Sequence, residues 1–216
     1  LYPCFCSRAD LHAAQAPHAS DGAYVYAGTC RNLNKSEREE LSKHKIPATR
    51  IRVPNKTYAF EDKVYGQTSQ NLSKLCGDFI VQRADEVFAY QLAVVVDDAD
   101  MGVTEVVRGS DLLSSTPRQL YLQDVLSFSH PIYAHLPLLV APDGRRLSKR
   151  NHDLDLGVLR DQGKTPEEIL GFLAYCIGLA EKEEPLSAVQ VANRFSWDVL
   201  RAHRKNVVVE HFSHVL

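Results

Sequence analysis

No apolar run in this 216-residue sequence approaches the ~20 residues that a membrane-spanning helix requires. Nor is there an excess of one charge: 25 Lys and Arg stand against 27 Asp and Glu, for a formal net charge of −2. A global basic field is thereby excluded, so any contact with nucleic acid must come from local clusters of cations. Cysteine is scarce. Five cysteines are too few, and odd in number, for a disulfide framework, and they fit a reducing cytoplasm better. Neither G-x-G-x-x-G nor G-x-x-x-x-G-K-[S/T] occurs, so phosphate would have to be held by side-chain cations. H-E-x-x-H is absent, no Ser/His/Asp triad is readable, and there is no internal repeat or low-complexity segment. What remains, at 44% apolar and 24% charged residues, is the composition of a globular protein. The length suits one large domain or one domain with appendages. The chain opens on Leu1 and runs directly into "YPCFC", so it is expected to be the later part of a longer protein.

Local patterns predict a mixed α/β chain. Ser36 with Glu39 forms a capping box that opens a polar helix to about Lys45. "TRIRVPNKTYAF" reads as strand, turn and strand, a hairpin, and "GDFIVQRAD" as a further strand. "LAVVV" fits a strand or a buried helical turn, which periodicity does not separate. "VTEVVRG" is a strand. "SSTPRQLYLQDVL" is a helix with Thr116 as N-cap, Pro117 at N1 and Gln119 at N3. "HLPLLVAP" is a buried strand, and the strand–helix–strand rhythm over 106–140 indicates a parallel α/β unit. After Arg150 the pattern turns helical. Thr165-Pro166-Glu167-Glu168 starts one helix, with Ile169, Phe172, Leu173, Cys176 and Ile177 at helical spacing before Gly178. Ser187 and Gln190 open another, and "SWDVLRAHRKN" a third.

Three soft ligands come close together in sequence, Cys4-x-Cys6 followed by Cys30, where zinc takes four. His12, His18, Asp21, Tyr24 and Tyr26 are candidates for the fourth. Imidazole chemistry favours His18, because phenolate is a rare ligand. The plainer alternative is three unrelated thiols. Cys76 and Cys176 lie in apolar patterns and read as core residues.

The segment "DGRRLSKRN" sets Arg145, Arg146, Lys149 and Arg150 around Ser148. It follows a strand, and the carboxyl end of a parallel strand is where α/β folds bind ligands. By composition alone it is a solvated basic turn. "VVVDDAD" carries Asp97, Asp98 and Asp100, either a helix end in solvent or a site for a cation or hydroxyl-bearing ligand. Arg108 closes the strand "VVRG". It either holds a ligand carboxylate bidentately or pairs with Asp111. His135 reads as a satisfied interior histidine.

Together, "YQLAVVVDDADMGVTEVVRGSDLLSSTPRQLYL" and "PIYAHLPLLVAPDGRRLSKR" strongly resemble the catalytic core of class I glutamyl-tRNA synthetases. "LSKR" looks like that class's lysine-serine signature loop. The resemblance covers nearly the whole chain and is weakest after about residue 185. The metal segment, "YPCFCSRAD" with "YVYAGTCR", resembles that of one branch, the glutamyl-Q tRNA(Asp) synthetases, whose pattern is C-x-C followed by Y-x-x-x-C. Conventional members tend to carry a His two residues after the third Cys, where this sequence has Asn32. Only ~65 residues follow the signature loop, too few for the large anticodon-binding domain of a conventional synthetase.

The resemblance implies the later part of a Rossmann-like class I catalytic domain, with a zinc-binding insertion and a C-terminal helical module. The expected divisions are 1–32 (zinc-binding segment), 33–77 (connecting α+β insertion), 78–145 (second half of the core) and 146–216 (signature loop and helical module). It implies structural zinc on Cys4, Cys6, Tyr26 and Cys30, with Tyr26 displacing His18. It implies Tyr90 and Arg108 as the glutamate-binding pair. Arg146, Leu147, Ser148, Lys149 and Arg150 would form the ATP-facing loop, with Lys149 as its catalytic lysine. The expected substrates are ATP with magnesium, L-glutamate and tRNA(Asp) carrying queuosine, handled by a cytoplasmic monomer. Three departures stand out: Arg146 replaces the first signature lysine, Glu86 stands where related sequences usually have Gly, and, as the largest, the nucleotide-binding half is missing. No HIGH-type segment precedes Cys4, so this stretch alone is expected to be inactive. Two alternatives remain open: a piece of a conventional glutamyl-tRNA synthetase, and a non-catalytic zinc-containing tRNA-binding fragment.

Overall fold

The computed structural model describes residues 1–7, 25–147 and 156–209. In chain order its elements are β1 (Tyr2–Cys4), α1 (Lys35–Ser42), β2 (Ala48–Ile51), β3 (Thr57–Asp62), β4 (Gly66–Asn71), α2 (Leu72–Leu75), β5 (Phe79–Gln82), α3 (Tyr90–Asp100) and β6 (Glu105–Gly109). A 3-10 turn (Ser110–Ser115) then leads into α4 (Thr116–Leu126), β7 (Ile132–Leu136), β8 (Leu139–Val140), α5 (Leu156–Asp161), α6 (Pro166–Cys176), α7 (Ala188–Arg194), α8 (Trp197–Ala202) and β9 (Val207–Val208). The chain divides into two compact units. One comprises Leu1–Phe60, Gln67–Val106 and Leu113–Ile132; the other Glu61–Gly66, Val107–Leu112 and Tyr133–Leu216. No helix among the described residues is long and apolar enough to cross a membrane.

The first unit is built on an antiparallel sheet in the order β1–β2–β5. β2 does not form a hairpin with β3, contrary to the sequence expectation; the two lie in different sheets. The cause is local. The Val53 N–H is taken by Asp78 Oδ1 at 2.8 Å, and Pro54 has no N–H to continue a ladder. The pairing of β2 with β5 slips between Thr49 and Arg50. Such a bulge breaks strict alternation, and the successive residues Arg50 and Ile51 are both buried.

The helix starts follow side-chain chemistry, with two corrections. α1 is capped by Asn34 and Glu37, not Ser36 and Glu39. Both pairs satisfy the capping-box spacing, and Asn is as good an N-cap as Ser, so the earlier pair sets the start. α4 is preceded by the 3-10 turn, so Thr116 is its first residue and Ser115 its cap. The Ser115 hydroxyl makes no cap bond; it accepts from Gln91 Nε2 at 3.0 Å. "LAVVV" proves helical, within α3.

In the second unit, the end of β3, β7 and the end of β6 lie side by side in that order, with Asp62 paired in parallel to Tyr133. The expected single strand over "HLPLLVAP" is instead β7 and β8, broken at Pro137, which cannot donate. Leu138 N–H finds Asn206 Oδ1 at 3.0 Å, and β8 pairs in parallel with β9. The helices after Thr165 pack on Ala174, Leu179, Ala180 and Leu186, with Ile177, Val191 and Val199 against them. Gly171 is required there: a Cβ would meet the Glu184 carbonyl oxygen at 1.8 Å.

Candidate functional site

In the first unit, β1 and the 25–30 segment bring Cys4, Cys6 and Cys30 together, with their sulfurs within 4.8 Å of one another. Cys6 Sγ lies 3.6 Å from Cys30 Sγ, and the Tyr26 hydroxyl lies 3.6 Å from Cys4 Sγ and 3.8 Å from Cys6 Sγ. Zn–S bonds of about 2.3 Å and a Zn–O bond of about 2.0–2.2 Å, set tetrahedrally, place ligand atoms about 3.5–3.8 Å apart. The separations of Cys6 from Cys30 and of the Tyr26 hydroxyl from Cys4 and Cys6 are those a tetrahedral cation with sulfur-rich ligands would need. His12, His18, Asp21 and Tyr24 lie outside the described residues; Asn32 is exposed.

The surroundings hold these atoms in place. Tyr26 forms a bridge with Gly77, where a Cβ would meet the Tyr26 carbonyl oxygen at 2.8 Å. The Tyr26 hydroxyl accepts the Cys30 N–H at 2.7 Å. Arg50, buried by the bulge, donates Nε–H to Cys4 Sγ at 3.1 Å and an NH1 proton to the Asp78 carbonyl at 2.7 Å. Its guanidinium lies 3.8 Å from the Tyr26 ring centroid. Burial alone raises the Cys4 thiol, but hydrogen bonds from Arg50 and the Cys6 backbone, with the Tyr26 hydroxyl, hold it below the ordinary value. Burial, with Cys30 and Cys4 nearby, pushes Cys6 up to about 11. Burial also pushes the Tyr26 phenol up, against the lowering effect of the Cys30 N–H. On a divalent cation, three thiolates and a phenolate would leave excess negative charge, and Arg50 supplies a buried positive charge beside them. Arg50 went unnoticed in the sequence because its partner Cys4 lies 46 residues away.

The second unit carries Arg108, half-buried at the end of β6. Its Nε–H donates to His135 Nε2 at 3.0 Å, and an NH2 proton is directed to the Leu112 carbonyl at 3.4 Å. The guanidinium also lies 5.2 Å from the Tyr133 ring centroid. His135 is 0% exposed, an interior histidine as expected, and its Nδ1 lies 2.6 Å from Asp62 Oδ2. Asp62 is fixed in turn. Its Oδ1 accepts the backbone N–H groups of Val64 and Tyr65, each at 2.9 Å. Burial would raise the Asp62 carboxyl, but hydrogen bonds from His135 and from the backbone of Tyr65, Val64 and His135 outweigh it and hold the pKa below the usual value.

The hairpin after β8 belongs to the same unit. Gly144 N–H bonds to the Ala141 carbonyl at 2.8 Å, and Gly144 has φ 80°, which closes a tight turn that brings Arg146 back opposite Val140. Arg146 forms an ion pair with Asp111, the residue considered from sequence as a partner for Arg108. Leu147 is described; Ser148, Lys149 and Arg150 lie outside the described residues. In the first unit Tyr90 is the first residue of α3 and is 54% exposed. Asp97 and Asp98 offer their carbonyls to Met101 and Val103 at the end of the same helix. Glu86 has φ 66°, a left-handed position that favours glycine. Cys76 is buried; Cys176 is partly so, and burial pushes its thiol up to about 11.

A family model for the catalytic domain of class I tRNA synthetases (E and Q) matches residues 1–213. The glutamyl-Q tRNA(Asp) synthetase of Symbiobacterium thermophilum is 46% identical over 211 residues, covering 96% of this chain and 64% of that protein. The protein of the same name from Rhodopirellula baltica is 42% identical, covering 98% of this chain and 69% of its own length. The chain spans about half to two thirds of the curated relatives it matches, 64%, 56% and 49% of three of them. Among solved structures, a glutamate tRNA ligase from Elizabethkingia meningosepticum in complex with its amino acid superposes with a TM-score of 0.71 at 23% identity. That match covers 96% of this chain and 46% of the ligase, and carries the fold alone. The matched range includes the cysteine cluster, the β6 arginine and the hairpin after β8, and the chain belongs to the class I (E and Q) tRNA synthetase catalytic-domain family.

Proposed function

We propose that the protein activates glutamate with ATP and transfers it to the queuosine base in the anticodon of tRNA(Asp). The observation that carries this reading is the 46% identity over 211 residues with a glutamyl-Q tRNA(Asp) synthetase. The cysteine cluster supports it, with Tyr26 set against the sulfurs and Asn32 exposed two residues beyond Cys30. Residues 1–32 act as the zinc module and 33–77 as a connecting insertion. Residues 78–145 supply the second half of the catalytic core, and 146–216 the signature loop and helical module.

Arg108 pairs with a carboxylate of glutamate, and Tyr90 contacts the amino acid from the pocket wall. Arg146, Leu147, Ser148, Lys149 and Arg150 face the ATP phosphates, with magnesium accompanying the nucleotide. The α-carboxylate oxygen of glutamate attacks the α-phosphorus; that P–O bond forms as the bond to pyrophosphate breaks. Lys149 neutralises charge gathering on the leaving pyrophosphate. A hydroxyl of the queuosine cyclopentenediol then attacks the adenylate carbonyl, giving an ester and releasing AMP. Positioning and charge stabilisation supply the catalysis, with no covalent intermediate on the protein. Cys4, Cys6, Tyr26 and Cys30 would hold zinc in a structural role, since four protein ligands would leave no open position for substrate.

Charging tests this with the full-length gene product, ATP, labelled glutamate and tRNA(Asp) isolated with or without queuosine. Label on the queuosine-containing tRNA alone is expected. Charging of tRNA(Glu) instead returns the protein to the conventional synthetases.

A further inference from the structure

We infer that His135, held by Asp62, is a positioning residue that fixes the guanidinium of Arg108 for the substrate carboxylate. The inference rests on the reading of Arg108 as a glutamate-binding residue and extends it to two buried side chains with no place in the proposed chemistry so far.

The tautomer follows from the donors. Arginine Nε carries a proton and cannot accept, so His135 Nε2 receives the bond at 3.0 Å through its lone pair. The ring proton then lies on Nδ1, directed to Asp62 Oδ2 at 2.6 Å. Asp62 is 1% exposed and is held by the backbone N–H groups of Val64, Tyr65 and His135. One end of the chain of bonds is therefore anchored in backbone, and the other end is a guanidinium. The Nε bond sets rotation about the last torsions of Arg108, the degrees of freedom that decide where its planar fork points. Tyr133 restrains the same group from its ring face, with the centroid 5.2 Å from Arg108 Cζ. A bidentate carboxylate contact is directional, so ordering the fork before binding removes an entropic cost from substrate association. A lone buried His–Asp pair with only a packing role has no need of an arginine on its outer nitrogen.

The test uses two amides of different reach. Asparagine places its amide near the imidazole Nδ1 position, keeping Asp62 within reach and losing Arg108. Glutamine reaches the Nε2 position and offers Arg108 an acceptor. Glutamate-dependent ATP–pyrophosphate exchange is measured on the full-length gene product. His135→Asn is expected to raise KM for glutamate about tenfold, with kcat and KM for ATP changed by less than about twofold. His135→Gln is expected to stay within about threefold of wild type for glutamate. In an Arg108→Ala background, His135→Asn is expected to add nothing further, since the two act through one contact. Equal effects of Asn and Gln, or glutamate and ATP constants moving together, would overturn the inference and leave a structural role. If Arg108→Ala itself leaves KM for glutamate unchanged, the failure lies in the underlying glutamate-site reading, and the inference falls with it.

Discussion

Replacing Tyr26 by Phe removes one oxygen atom from the cysteine cluster and leaves the ring in place beneath Arg50. That oxygen is buried, accepts the Cys30 N–H at 2.7 Å and lies 3.6 Å and 3.8 Å from the sulfurs of Cys4 and Cys6. Without metal, the change leaves a buried N–H unpaired, at a cost of about 1–3 kcal/mol, or roughly 2–12 °C in Tm for a chain of this size. With metal the loss is larger. Structural zinc contributes about 10–16 kcal/mol in all, so one ligand of four corresponds to ~3 kcal/mol, or about a hundredfold in affinity. Competition with a chromophoric zinc chelator measures this directly, with metal content of the purified protein as a second readout. Tyr26→Phe is expected to lose zinc at chelator concentrations where the wild type keeps it, and His18→Ala is expected to behave as wild type. Wild-type affinity in Tyr26→Phe together with loss in His18→Ala would refute the reasoning and restore the histidine that chemistry alone favours.

Three further outcomes are expected. Gly171→Ala sets a methyl against the Glu184 carbonyl oxygen, 1.8 Å from the ideal Cβ, and should lower the urea-derived stability by about 1–3 kcal/mol; an unchanged midpoint would contradict the packing of the helical module. Asp62 has a folded pKa below its unfolded value of about 3.9, so its contribution is fully present above that pH and is lost as pH falls through the folded value. Wild type should therefore lose more stability than Asp62→Asn between pH 5 and about pH 2, by denaturant midpoints, and parallel pH profiles would contradict this. Lys149→Ala should lower adenylate formation far more than tRNA binding, and equal losses of both would remove its role in the signature loop.

Local chemistry was the most legible part of the sequence. The starts of α6 and α7 follow from Thr165 with Glu168 and from Ser187 with Gln190, whose side chains cap neighbouring backbone whatever the tertiary setting. The same logic misplaced α1, because Asn34 and Ser36 offer competing caps two residues apart. Long-range choices were not legible. The Val53-Pro54 step looks like a hairpin turn, yet Asp78, 25 residues away, captures the Val53 N–H and the chain changes sheets. The cysteine spacing announced the cluster of three sulfurs, but Arg50 beside it is buried by a bulge that no local pattern signals. His135 was recognisable as interior. Its role between Asp62 and Arg108 was not, because those partners lie 73 and 27 residues away.

The most direct measurement locates the transferred glutamate. The full-length gene product is incubated with ATP, labelled glutamate and tRNA(Asp) carrying queuosine, and the tRNA is digested with nuclease. Label on the anticodon fragment, absent when queuosine is absent, is the predicted result. Label on the 3′-terminal adenosine of tRNA(Glu) in a parallel reaction, with none on the anticodon fragment, would contradict it.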